Sequence, residues 1–248
     1  MGEAVFWGFV GGAALLLGAA VAVITTVPKR VVGIIMAFGA GVLISALAFE
    51  LTDEAYRVGG ADAVAGGLAA GALVYWGANR LLQRRSGGGG ALGITIGAVL
   101  DGIPESAAIG LTVLNGSVSA ALVAAVFLSN IPESLSASTE FRTKGRPAAW
   151  ILGLWGAVAA VSALAAGVGY VALDGAGGNL LGGIQAFAGG AILVMLVDTM
   201  IPEAFVAVGE RHGRPADTRF ERRLQRNQWL GLVTTLGFAL AYLLSTLE

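Results

Sequence analysis

Apolar runs of twenty or more residues recur along this chain with little polar sequence between them, and that feature leaves few folds open. A helix needs about 20 mostly apolar residues to cross the hydrocarbon core of a bilayer, because each residue advances it by only about 1.5 Å. Eight stretches meet that length: 4–27, 31–55, 61–82, 91–114, 119–139, 147–173, 180–208 and 228–247. The connections are short and rich in Gly, Pro or charge, as in TVPKR, RRSGGGG, TKGRP and DGAGGN. Only 12% of the residues are charged, against about 25% in soluble domains, so the chain lacks the polar surface to cover a globule. Its 39 glycines suit helices that must approach closely where no hydrophobic effect drives them together. The first run opens on Glu3 without basic residues ahead of it and is longer than a secretory leader, so it reads as a span. The expectation is an all-α membrane protein of eight transmembrane helices, a single polytopic domain over 1–248.

Basic residues set the expected orientation. Lys29 and Arg30 fall in the first connection, Arg80, Arg84 and Arg85 in the third, Arg142, Lys144 and Arg146 in the fifth. Arg211, Arg214, Arg219, Arg222, Arg223 and Arg226 fall in the seventh, which leaves Arg57 alone on the other side. The positive-inside rule then places the odd-numbered connections in the cytoplasm and both termini outside a cell (inner or plasma) membrane. His212, the sole histidine, lies in the seventh connection and reads as solvated. The basic side chains there can meet anionic headgroups of the lipid bilayer. With no cysteine in the chain, disulfides, thiolate ligands and thiol nucleophiles are excluded.

The sequence also repeats itself. AFGAGVLISALAFELTDEA at 37–55 aligns with AFAGGAILVMLVDTMIPEA at 186–204 at an offset of 149, with Phe38 on Phe187, Gly41 on Gly190 and Glu54 on Glu203. IPES at 103–106 recurs at 131–134, an offset of 28. In each pair the two spans are expected to cross in opposite directions. Inverted repeats around a midplane site on interrupted helices mark secondary transporters. The organisation read from this is a first repeat over about 4–82, central helices over 91–140 and a second repeat over about 147–247.

Carboxylates stand inside the apolar runs. A charge at a helix centre costs about 2.5–3.5 kcal/mol even on the lenient insertion scale, so such residues face a partner, a cavity or an ion. Asp101 and Glu105 lie ten to fourteen residues into the fourth span, one helical turn apart. Ser129, Asn130 and Glu133 lie at similar depth in the fifth. Pro104 and Pro132 each break a backbone hydrogen bond and free the carbonyl four residues earlier, at Leu100 and Leu128. Neither span carries Lys, Arg or His to balance the acids. Carboxylates, amide, hydroxyl and carbonyl oxygens without a counter-charge are what a hard divalent cation takes as ligands. The competing reading leaves the acids protonated and hydrogen-bonded, but does not account for three of them gathering beside two prolines. Glu140 and Glu203 mark an expected path toward the cytoplasm with the deeper Asp198, and Glu50, Asp53 and Glu54 an entrance at the outer end of the second span. Those near helix ends also suit ordinary solvated charges.

With DGIPES in the fourth span, SNIPES in the fifth and AGGAILVMLVDTMIPEA in the seventh, the chain resembles the ZIP (Zrt-/Irt-like) divalent metal transporters over almost its whole length. The resemblance implies eight helices in a 3+2+3 arrangement with inverted repeats, a homodimer, and import toward the cytoplasm. It implies metal ligands at Asp101, Glu105, Ser129 and Glu133, with Asn130 joining Glu105 and Glu133 at an adjacent second metal. The family usually carries His where Asp101 stands and Asn where Gly102 stands, and a His-rich third connection where this chain has RRSGGGG. A His-free, all-oxygen set shifts preference from Zn²⁺ toward harder ions such as Mn²⁺, Fe²⁺ or Mg²⁺.

The function expected is secondary transport of divalent metal ions (Zn, Mn, Fe or Cd-like) as cargo, with no further cofactor, no nucleic-acid partner and no enzyme activity. No P-loop is present for ATP. The alternatives are a proton-coupled carrier or exporter of another small cation, an intramembrane aspartyl protease using Asp101 and Asp198, and a membrane scaffold. Neither aspartate sits in the Gly-x-Gly-Asp setting such proteases usually show.

Overall fold

A computed structural model describes residues 1–86, 91–114, 116, 118–209 and 229–247, and every regular element among them is helical. The helices are α1 (Gly2–Ile24), α2 (Lys29–Ala46), α3 (Asp53–Ser86), α4 (Ala91–Leu114), α5 (Ala120–Thr143), α6 (Ala148–Leu173), α7 (Gly178–Met195), α8 (Ile201–Gly209) and α9 (Leu230–Ser245). A π-helical turn, Leu47–Thr52, joins α2 to α3, and a second, Leu196–Met200, joins α7 to α8. Among the described residues five continuous stretches are long and apolar enough to cross a membrane: Gly2–Ile24, Lys29–Arg84, Ala120–Thr143, Ala148–Leu173 and Gly178–Gly209. α9 is apolar but shorter. The glycines at 87–90 and the basic connection at 210–228, with His212 and its six arginines, lie outside the described residues.

Lys29–Arg84 is 56 residues long, far more than one crossing of a core about 30 Å thick needs. It consists of two arms. At Gly60 the backbone takes φ 76°, ψ 179°, open to glycine because no Cβ obstructs it. Before this point Ala55 lies on Gly182 and Val58 on Gly178; after it Gly67 lies on Gly183 and Gly71 on Phe187. The first arm therefore runs antiparallel to α7 and the second parallel to it. The chain reverses at Gly60.

The offset of 149 reappears in the element boundaries. Both α2 and α7 have 18 residues, their first residues are Lys29 and Gly178, and their π-helical turns begin at Leu47 and Leu196. The contacts repeat too. A Cβ on Gly33 would sit 2.7 Å from the Ala204 carbonyl, and one on Gly182 would sit 2.5 Å from the Ala55 carbonyl. These are the same two positions exchanged between the repeats. Likewise Gly237 lies against the Phe38 carbonyl and Gly71 against the Phe187 carbonyl. With Gly33 on Ala204 and Gly39 on Met200, α2 and α8 pack antiparallel, so the two related segments lie side by side and head to tail.

The helices pack as two groups. α1 packs on α5 and α6, and α6 on α4; in the second group α3 packs on α7, and α2 on α8 and α9. The groups meet chiefly where α2 faces α5 and α4 faces α7. Polar ties reinforce each group. Within the first, Trp155 Nε1 donates to Ser138 Oγ at 2.8 Å. Arg142 donates to the Ala22 carbonyl and, at 3.2 Å, to that of Thr25, at the end of α1 where a cation meets the negative end of the helix dipole. Within the second, Gln185 Nε2 donates to the Glu50 carbonyl at 3.1 Å and Ser245 Oγ to the Glu50 carboxylate at 2.7 Å. Thr52 Oγ1 donates to the Leu47 carbonyl at 2.8 Å. A π-helical turn upsets the regular backbone ladder, and these side chains serve carbonyls within it.

The glycine contacts give the first prediction. Gly182→Val should lower the thermal midpoint in detergent, with a cost of about 1–3 kcal/mol from overpacking against the Ala55 carbonyl. Gly183→Ala, next along the chain with nothing within 4 Å of the added carbon, should leave the midpoint unchanged or raise it.

Candidate functional site

Asp101 and Glu105 project from one face of α4, and Ser129, Asn130 and Glu133 belong to α5. Pro104 and Pro132 lie inside these helices. The freed Leu128 carbonyl faces α2 at Gly39, where an added Cβ would lie 3.3 Å from that oxygen and 3.4 Å from Ser129 Cα. The missing side chain of Gly39 thus lets the second helix group approach α5 at the level of Ser129.

Asp101, Glu105, Ser129 and Asn130 are buried, and Glu133 is half-buried. Ser129 Oγ lies 2.9 Å from the Val126 carbonyl and 3.4 Å from Glu105 Oε1. A hydroxyl has one proton, and the shorter contact takes it. The other Glu105 oxygen, Oε2, is buried without any hydrogen-bond partner. A carboxylate that is 2% exposed and so poorly served is costly to hold in this place unless something charged balances it. Asp101 is better provided: the Tyr75 hydroxyl, on α3, donates to its Oδ1. Glu133 lies within electrostatic reach of Asp101, Glu105 and Glu203.

Among the described residues, no three Asp, Glu or His side chains lie close enough together to form a ready cage for a metal ion. Asp101, Glu105 and Glu133 share one region of the interior, within electrostatic reach of one another. Asn130 points elsewhere: its Nδ2 donates to the Gly11 carbonyl of α1 at 3.1 Å, which makes its amide group a strut between α1 and α5.

A cavity of about 350 Å³ opens between α2, α5 and α8, with Lys29, Ser136, Glu140 and Glu203 among its lining residues. Glu203 lies within electrostatic reach of Asp101 and Glu133 at the inner end and of Glu140 farther out. The acids thus form a series from the cavity mouth to the buried group. Glu140 is engaged at that mouth by Lys144 Nζ at 2.5 Å. Of the other expected path residues, Glu50 accepts from Ser245 of α9, Glu54 faces Arg57 at 4.0 Å, and Asp198 is exposed on the second π-helical turn. None of the three lines this cavity.

Two residues absent from the sequence reading matter here. Tyr75 is 4% exposed, and a buried tyrosine hydroxyl needs a partner; its place in ALVYWGANR, an apolar run, was the available signal. Gln185, fully buried, is an amide inside an apolar helix, where polar side chains are rare enough to warrant attention. This chain matches no protein-family model and no curated protein.

The Asn130 strut is open to test. Asn130→Ala leaves the Gly11 carbonyl unpaired, so it should cost about 1–3 kcal/mol of stability, measured as a lower thermal midpoint with no added ion.

Proposed function

We propose that this chain is a secondary transporter that carries divalent metal cations across a membrane toward the cytoplasm. The observation that carries the reading is the buried carboxylate group of Asp101, Glu105 and Glu133, in which Glu105 Oε2 has no hydrogen-bond partner and α4 and the apolar part of α5 supply no cationic side chain. An arriving dication would supply the missing charge and take Ser129 Oγ and the proline-freed carbonyls as further oxygen ligands. All donors at hand are hard oxygens, which favours Mn²⁺, Fe²⁺ or Mg²⁺ and tolerates Zn²⁺.

The proposed topology has eight crossings. Lys29–Arg84 counts as two because of the reversal at Gly60, α4 is 24 residues long, and α9 completes the set with the residues before it. Along the chain they group as three, two and three, in the manner of the ZIP family, and the antiparallel packing of α2 with α8 supports the inverted relation of the outer triplets. Three arginine–tryptophan stacks support a common membrane interface: Arg30 over Trp229 at 5.8 Å, Arg80 over Trp76 at 5.5 Å and Arg146 over Trp150 at 4.8 Å. Each stands at the end of its helix where the basic connections lie, and tryptophan and arginine both favour the headgroup level. The cavity mouth at Lys29 and Glu140 is at this same end, which supports a site that opens toward the cytoplasm. Release then runs from the buried acids past Glu203 to Glu140. An aspartyl protease would need Asp101 and Asp198 in one pocket; the exposure of Asp198 and burial of Asp101 favour transport.

The test is ligand-dependent stability and uptake. Mn²⁺ or Zn²⁺ at a hundred times its dissociation constant should stabilise the purified protein by about 2.7 kcal/mol. Glu105→Gln should abolish that gain and proteoliposome uptake together. Full retention of both by Glu105→Gln would show that the cation binds elsewhere.

A further inference from the structure

We propose that Tyr75 is a positioning residue that ties the site to the second helix group, and that a cation settling at Asp101 releases the tie. Site occupancy would thereby be linked to movement between the two groups. The inference rests on the transporter reading and adds the residue that couples binding to motion.

The polar ties described above stay inside one group. Asn130 to Gly11, Trp155 to Ser138 and Arg142 to Ala22 hold α1, α5 and α6 together, while Gln185 and Ser245 converge on Glu50 within the other group. The bond from Tyr75 on α3 to Asp101 on α4 crosses between them. It meets the other group at a residue of the candidate site. Thr199, on the second π-helical turn of the same group, lies near this hydroxyl on the side of its oxygen. Among the described residues the groups also meet through close packing such as Gly39 against Ser129, and packing of that kind lets helices shift. A hydrogen bond fixes one register.

A dication on Asp101 opposes that bond. It draws electron density from the carboxylate and repels the positive end of the hydroxyl dipole, which weakens the charge-assisted contact. The acids pulling in the same direction, Glu105 and Glu133, belong to α4 and α5 in the first group. The ion therefore gathers one group around itself while loosening its attachment to the other. Because the tie and the open cavity occur together, its release should close the cavity.

The chain has no cysteine, so a single Ser136→Cys in the cavity wall reports opening through its rate of reaction with a polar thiol reagent. In this background without metal, Tyr75→Phe and Asp101→Leu should each slow modification about fivefold, the lower end of typical coupling between sites. Asp101→Asn keeps an acceptor for the hydroxyl and should react at the parent rate. Added Mn²⁺ should slow the parent to the Tyr75→Phe rate, and Tyr75→Phe should bind Mn²⁺ about tenfold more tightly by calorimetry, having no bond to give up. Equal metal-free rates for Asp101→Leu and Asp101→Asn would overturn the tie, even if Tyr75→Phe fails to fold. A Tyr75→Phe chain with the parent's rate and Mn²⁺ affinity would also overturn it while leaving the transporter reading intact. If the folded parent binds neither Mn²⁺ nor Zn²⁺, the transporter reading fails, and the release step with it.

Discussion

Charge that oil cannot solvate is the constraint on which this structure turns. Where helices bury polar groups away from water, each must be served from within the protein, and a lone carboxylate is the hardest to serve. The chain meets the demand from within in most places: hydroxyls reach back to carbonyls one turn earlier, Arg142 closes the end of α1, and Gln185 and Thr52 serve the first π-helical turn. Glu105 stands out because its carboxylate has one weak contact and one oxygen with none. Among the described residues Gln185 Oε1 also lacks a partner, but an amide oxygen carries no net charge; an acid left bare beside two more is what the proposal of a cation site rests on.

The repeat explains how such a place can be built. α2 and α7 match in length and each runs into a π-helical turn, and glycines at equivalent positions let backbones meet without side chains between them. Close backbone approach supplies dispersion contacts where no hydrophobic effect operates between helices. The result is a second group that presents a face including Gly39 to α5, one of the two proline-bearing helices of the first. The site lies at this seam. A cavity at the same seam, lined by Glu140 and Glu203, extends it toward the end of the molecule where arginines stack on tryptophans.

Much of the fold was legible in the sequence. Runs of apolar residues are long-range signals that depend on no neighbour, and Gly60 was foreshadowed by the Gly-Gly at 59–60 between two runs. The prolines and acids of α4 and α5 were legible for the same reason: a charge inside an apolar run is conspicuous wherever the run folds. Asn130 was not. Its type suits a ligand, but the carbonyl it donates to, that of Gly11, lies 119 residues away in the chain. Glu50, Glu54 and Asp198 shared the acidic signal of the site and went to Ser245, to Arg57 and to the exposed surface instead. Tyr75 carried almost no signal, since an aromatic in an apolar run is usually just core.

By itself the sequence determined that this protein is built of helices, where most of them begin and end, that one segment is used twice, and that acids stand within its apolar runs. Hydropathy, proline and glycine act along the chain, so their consequences can be read along it. Tertiary structure alone decided which helices belong to which group, that Asp101 meets Tyr75, that Glu105 is left unserved, and that Glu203 joins the buried acids to a cavity. Those outcomes depend on distances between residues far apart in the chain, and packing sets them.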